Sequence, residues 1–258
     1  MSDVDLLRAE LGVIWRLDER GRLPGPEDMV IGVAADGMTA AVSRHVPDPL
    51  AARLLDVVTR PAPPPSLRPP GTSAATHRDA SAPPERPPAA LAPREIPAPL
   101  LDECRALLGG GLTVSGGPSY LVCPPVRFDA PAAVLRSEDP AHAELVRPLR
   151  PGTWEPEEWD ELVAGGEGAP WAMIVEDGQV AAICHTARST PAGAEAGTWT
   201  APASRGRGYA AATTAVWAGL VSGARPMFYS TRADNLSSQR VAARLGLRAI
   251  GWLWKLTR

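Results

Sequence analysis

Lysine is almost missing from this 258-residue chain: Lys255 is the only one, and arginine supplies the rest of the 26 basic side chains. The net charge is −3 and the pI near 5.9. That balance argues against a protein built to grip nucleic acid, which needs a basic face. Long apolar runs are missing too. No stretch of about 18 apolar residues occurs, so no membrane span is expected. The opening MSDVDLLRAE carries acids where a secretory leader needs an apolar core. Cysteine is limited to Cys104, Cys123 and Cys184, widely spaced and without CxxC, which reads as three reduced thiols in a cytoplasmic protein. The four histidines, His45, His77, His142 and His185, are scattered. With no HExxH and no paired His/Cys spacing, no metal is expected.

Aromatic residues are few and unevenly placed. None lies between Trp15 and Tyr120, and seven of the eight Trp fall at or after Trp154. Proline shows the opposite skew, with 13 of 29 between Pro61 and Pro99. Abundant Ala, Pro and Arg read as a GC-rich, bacterial-like coding bias. The two skews divide the chain. Residues 1–60 read as a small α+β unit: a helix from Val4 to Leu17 with Leu7, Leu11, Ile14 and Trp15 at helical spacing, a hairpin of 29–33 and 38–42 around Asp36-Gly37, and a helix from Asp48 to Val58. Residues 61–99 read as a Pro-rich flexible linker without periodicity. A helix at 100–108 and a hairpin of 112–114 and 120–123 around Gly116-Gly117 are expected to complete the N-terminal half over 100–129.

From residue 130 onward the pattern alternates. A short strand at 134–136 precedes helices at 140–146 and 156–163, each opened by Pro. Strands at 171–176 and 179–187 flank Asp177-Gly178, a strong hairpin signal. Then follow strand 195–200, helix 206–221, strand 227–231, helix 236–245 stopped by Gly246, and strand 249–256. This order predicts an α/β domain with a mixed sheet and flanking helices.

The segment with most chemical content is Arg205-Gly-Arg-Gly-Tyr-Ala210, where a strand runs into a helix. Small residues there let backbone N–H groups point outward at a helix N-terminus, an anion site suited to phosphates. Gly208 and Ala210 allow a diphosphate close to the backbone, and Arg205 and Arg207 bring positive charge. A dinucleotide fingerprint fits poorly, because Ala211 stands where its third glycine belongs and no acid ends the next strand. The triple glycine 109–111 lacks the Gly-Lys-Ser/Thr of a nucleotide loop.

Thirty residues after Arg205 comes Asn235-Leu-Ser-Ser238, opening a helix that ends at Leu245-Gly-Leu247. Together with Arg205, Gly208 and Ala210 on the Arg/Gln-x-x-Gly-x-Gly/Ala pattern, and with Pro202 three residues earlier, this resembles the GNAT superfamily of acyl-CoA-dependent N-acyltransferases over roughly residues 130–258. The fold class that follows is a GNAT-like mixed β-sheet with flanking helices, plus the small N-terminal unit and its linker.

The resemblance implies acetyl-CoA as cosubstrate. Its pyrophosphate would sit on the N–H groups of Gly206, Arg207, Gly208, Tyr209 and Ala210, beside Arg205. Its pantetheine arm would run along Thr198 and Thr200, in the cleft towards strand 227–231, with Asn235 and Ser238 at its end. The function implied is transfer of an acetyl group to a primary amine by direct attack, so Cys184 reads as core and not as nucleophile. The amine must lose a proton; the thioester oxygen needs a donor, for which Thr200 N–H is placed. Glu195 stands where the family often has its base, but its odd spacing to Thr198 and Thr200 requires a bulge for it to reach the cleft. His185 on the neighbouring strand is the alternative base. The family's usual general-acid Tyr falls on Ala242, which leaves Ser238 or Tyr229 for that role. A non-catalytic acyl-CoA-binding sensor or scaffold is the alternative function. The acceptor, a small-molecule or peptide amine, is not legible; Trp154, Trp159, Trp171 and loop 188–194 are expected near it. No nucleic-acid or membrane partner is expected, and a homodimer stays open.

Overall fold

The computed structural model describes residues 1–60, 94–221, 223 and 225–258. Of the linker expected over 61–99, residues 61–93 lie outside the described residues. The described residues form one nine-stranded sheet in the order β2-β1-β9-β3-β8-β7-β6-β5-β4. Its strands are β1 (Met29–Val33), β2 (Met38–Val42), β3 (Thr113–Val122), β4 (Leu135–Arg136), β5 (Trp171–Glu176), β6 (Gln179–Thr190), β7 (Gly193–Thr200), β8 (Met227–Ser230) and β9 (Arg248–Thr257). The helices are α1 (Asp3–Trp15), α2 (Asp48–Thr59), α3 (Ala98–Leu108), α4 (Pro140–Val146), α5 (Pro156–Val163), α6 (Tyr209–Leu220) and α7 (Leu236–Arg244). Among the described residues no helix is long and apolar enough to cross a membrane.

Residues 1–60 do not stand apart. Strand β1 pairs antiparallel with β9 from Met29↔Leu256 to Val33↔Trp252, so the N-terminal unit extends the sheet that the end of the chain begins. Helices α2 and α3 pack with β1, β2 and β9 around Leu54, Ile31, Cys104 and Leu256. They lie on the sheet face that α6 and α7 cover further along. Helix α1 and helix α5 cover the other face. Helix α1 crosses β9, β7, β1, β2 and β6. The Arg16–Glu167 ion pair ties its end to the loop after α5.

Three expectations fail here. Residues 94–99 are not part of a linker: Ile96 is buried in the α2/α3 core, the carbonyl of Arg94 accepts from Trp254 Nε1 at 2.7 Å, and α3 already begins at Ala98. The hairpin expected around Gly116-Gly117 is instead the single strand β3, paired with β9 on one side and β8 on the other. The glycines serve close approach, not a turn. A Cβ at Gly116 would lie 2.1 Å from the Leu253 carbonyl oxygen, and one at Gly117 would lie 1.9 Å from that of Thr231. Strand β6 likewise runs on through Thr190, and β7 starts at Gly193, so the expected loop 188–194 shrinks to a tight turn.

Candidate active site

Strand β7 is held by β6 along its whole length, Ala194 to Thr200 included. On its other side it pairs with β8, in parallel, only at Ala194↔Met227 and Glu195↔Phe228. Beyond that point the two strands diverge. The next β8 donors at hand, Ser230 N–H and Oγ–H, both go to the Glu195 carboxylate, at 2.9 and 2.6 Å. A carboxylate thus stands at the vertex of a splay, where backbone pairing of β7 with β8 ends.

The splay opens into a cavity of about 580 Å³ on the α6/α7 face, lined by Thr198, Thr200, Arg205, Gly208, Asn235 and Ser238 among others. Helix α6 begins at its floor. Gly208 occupies the N-cap with φ 85° and offers no side-chain cap, and the first backbone bond into it runs from Ala212 N to Gly208 O. The N–H groups of the first turn are therefore left for a ligand. A Cβ at Gly208 would meet Phe128 Cζ at 3.4 Å, in a conformation that side chains disfavour. Arg205, Arg240 and Arg244 add positive charge to the lining, and no carboxylate shares it. This is a cradle for a polyanion, and it fits a phosphate-bearing acyl carrier.

Arg207 departs from expectation. Its guanidinium pairs with Glu176, which also accepts from Tyr209 O–H at 3.0 Å, and it lies over the Tyr209 ring at 4.8 Å. The Arg207 contact holds the Glu176 carboxyl below the usual carboxylate range. The Arg207 charge is thereby spent outside the cavity. Arg205 donates to the Thr200 carbonyl at 3.4 Å and remains in the lining.

Helix α7 forms the opposite wall. Asn235 is its N-cap, with Oδ1 accepting from Ser238 N–H at 3.1 Å. The cap is therefore Asn235, and the hydroxyl of Ser238 is not used for capping. Ser238 also receives Tyr229 O–H on its carbonyl, at 3.4 Å. Tyr229 is almost wholly buried, and burial pushes its phenol up to about 12, against hydrogen bonds from Ser238 and Thr198. It stays protonated at neutral pH, beside Thr198 at the inner end of the cavity. Ala242, at the position of the family's Tyr, is fully buried against the Trp217 and Tyr229 core.

Glu195 lies on the other face. Strand β7 contains no bulge; the irregularity falls on β6, between Thr186 and Arg188, so that Glu195 opposes Arg188. The odd spacing therefore keeps its meaning: Glu195 turns away from Thr198 and Thr200 and towards α1. Only 4 % of it is exposed, and burial pushes its carboxyl up to about 7, although both Ser230 donors and Arg188 pull it down. His185 shares that face, on β6 opposite Gly197. Its ring meets Trp154 edge-on at 5.1 Å, its Nδ1 has no partner, and burial lowers it to about 4. A neutral imidazole that resists protonation this strongly is a weak base. Trp159 and Trp171 are core residues, while Trp154 stays half-buried. Cys184 is fully buried, and its thiol is pushed up to about 12 by burial, so it is no nucleophile.

One buried acid escaped the sequence reading. Glu10 on α1 has no exposed surface and neither of its oxygens is bonded. The available signal was its spacing: Leu6, Leu7, Glu10 and Leu11 share the buried side of the helix.

Residues 122–248 match the family model "Acetyltransferase (GNAT) domain". Solved structures align along about three fifths of the chain. A chain described as a GNAT-family acetyltransferase from Novosphingobium aromaticivorans is 26% identical, over 57% of this chain and 66% of its own, with a TM-score of 0.39. GCN5-related N-acetyltransferases from Kribbella flavida and Sphaerobacter thermophilus are 20% and 17% identical, with TM-scores of 0.41 and 0.42; the alignments cover 62% and 61% of this chain. The chain spans 66%, 62% and 56% of the length of these three proteins. No curated protein matches it. Through residues 122–248, its C-terminal half, the chain belongs to the GNAT acetyltransferases.

Proposed function

We propose that the protein transfers an acetyl group from acetyl-CoA to a primary amine, by direct attack of the amine. The observation that carries this reading is the splay of β7 from β8, with an uncapped helix N-terminus on one face and a buried carboxylate at its vertex. The acyl carrier supplies the activated acetyl group. The chain's own residues do the rest. N–H groups from Gly206 to Ala210, with Arg205, hold the phosphates. Thr198 and Thr200 edge the arm, and Asn235, whose Oδ1 is engaged as the α7 cap, has its amide nitrogen left to bind it. Thr200 N–H is the donor for the carbonyl oxygen.

Glu195, at the vertex of the splay but on the α1 face, takes the proton of the amine through water and not by direct contact, and its raised pKa suits it to do so near neutrality. The departing thiol needs a proton donor. Tyr229, protonated and beside Thr198, takes that role in place of the residue missing at Ala242, with its O–H held at the helix start by the Ser238 carbonyl and the Ser238 hydroxyl as the second candidate donor. A buried, protonated donor in this position favours catalysis over a CoA-binding scaffold.

The test is direct. The full chain is incubated with acetyl-CoA and a panel of amines, small molecules and peptides, while free thiol is followed. Thiol release that depends on one amine class supports the reading. Tight binding of CoA by calorimetry with no turnover on any amine identifies a scaffold instead.

A further inference from the structure

Glu10 sits in the apolar stripe of α1, which packs on β7, and the polar groups that act on it are Glu195 of β7 and Ser119 of β3. Strand β7 contributes Glu195, whose Oε2 has no partner. Strand β3 contributes Ser119, buried and with its hydroxyl unbonded, and β8 contributes Ser230, which is bound to Glu195. Arg188 on β6 is the cation that acts on Glu195. Tyr229 lies one residue before Ser230, with its ring on the opposite sheet face. Three carboxylate oxygens, two of Glu10 and one of Glu195, thus have no hydrogen-bond partner in a buried seam between the N-terminal helix and the matched domain.

Two carboxylates in such a seam do not ionise together. Their surroundings differ, and the difference decides the order. Glu195 accepts two hydrogen bonds from Ser230 and feels Arg188. Glu10 has neither. We propose that Glu10 and Glu195 form a coupled acid pair in which Glu195 carries the charge and Glu10 the proton, which makes Glu10 a positioning residue for acetyl transfer. The consequence for transfer rests on the function proposed above; the pair itself does not.

The sign of the pH dependence follows. Burial, and for Glu10 also the charge on Glu195, raises both carboxyls in the folded chain above their usual value of 4.5. Their contribution to stability is complete below that value. It is lost as pH rises through about 7, where Glu195 ionises, and further as Glu10 follows.

The pair is tested on the full chain by carboxyl 13C NMR titration, with Glu10→Gln and Glu195→Gln to assign the signals. Glu195 is expected to titrate near 7 and Glu10 above it. Glu195→Gln should lower the Glu10 midpoint by about one unit or more. An ordinary midpoint for Glu10, or one unmoved in Glu195→Gln, overturns the proposal. Should Glu195→Gln fail to fold, the pH dependence of thermal stability in Glu10→Gln decides: the loss above pH 7 shrinks if Glu10 holds the proton, and an unchanged slope overturns it. Acetyl transfer adds a third reading. Glu10→Ala lets water in and moves the acid limb of kcat/KM to lower pH, while Glu10→Gln restores it. A helix that merely docks lowers the rate equally at every pH, and that result counts against a positioning role. The titrations need no turnover, so a coupled pair in a protein that transfers nothing sinks only the acetyltransferase reading.

Discussion

The two faces of the sheet at β7 solve opposite problems. On the α6/α7 face the chain leaves polar groups open: uncapped N–H groups, three cavity arginines and a glycine where a side chain would intrude. On the α1 face it closes polar groups in. Glu195 and Glu10 are buried, and three of their four oxygens have no hydrogen-bond partner. Open donors bind an anion without changing their own state, since backbone amides do not titrate in this range. Buried acids do the reverse: removal from water shifts their protonation into the neutral range, where a proton can be accepted and released. On the function proposed above, one face holds the acyl carrier and the other moves a proton, and the two meet where β7 diverges from β8.

Replacing the buried acid should separate the faces most sharply. Glu195→Gln keeps the Ser230 contacts in shape but cannot take a proton. We expect kcat/KM to fall by roughly 10² to 10⁴, with CoA affinity measured by calorimetry left within about twofold, because Glu195 does not line the cavity. A matching loss of CoA affinity would show that the faces are not independent.

The sheet that carries both faces depends on β3 threading between β8 and β9. Gly117→Ala would drive a Cβ to 1.9 Å from the Thr231 carbonyl oxygen, a backbone atom that cannot swing aside. Overpacking of this kind typically costs about 1–3 kcal/mol, and denaturant unfolding should place this variant at or above the upper end. A loss below about 1 kcal/mol would mean that β3 and β8 can move apart at Gly117 without disturbing the sheet.

How much of this was legible in the sequence follows the same division. The proposed phosphate cradle is contiguous: Arg205 to Ala210 sit on one turn into α6, and helix caps and turns are local chemistry. Asp177-Gly178 is another such case, with both residues at positive φ in the turn. Glu195 was legible as a candidate, and its odd spacing correctly marked the opposite face. Glu10 was not, because its partner is 185 positions away and only the folded sheet joins them. Gly116-Gly117 misled for a related reason. Paired glycines mark turns when only neighbours are considered, whereas here they make room for strands that follow more than 100 residues later.

On the open face, Gly208→Val tests the cradle. A β-branched residue held at φ 85° costs about 1–2 kcal/mol in backbone strain and places methyl groups before the helix amides. CoA affinity should fall by about ten- to a hundredfold, while the Glu195 titration stays near 7. Unchanged affinity would move the phosphate site away from α6.

Arg207→Ala should do least. By sequence it looks like a second phosphate ligand beside Arg205, yet its guanidinium is committed to Glu176 and rests on the Tyr209 ring, outside the cavity. Both partners of that pair are solvent-accessible, and such pairs contribute about 0–1 kcal/mol. Thermal stability should drop by no more than that, and CoA affinity by less than about fivefold. Arg205→Ala, measured beside it, should weaken CoA binding more, since Arg205 lines the cavity and Arg207 does not. The reverse ranking would mean that Arg207 leaves Glu176 for the phosphates on binding. The open face would then also rearrange around its ligand, and the contrast between a face that holds and a face that responds would narrow.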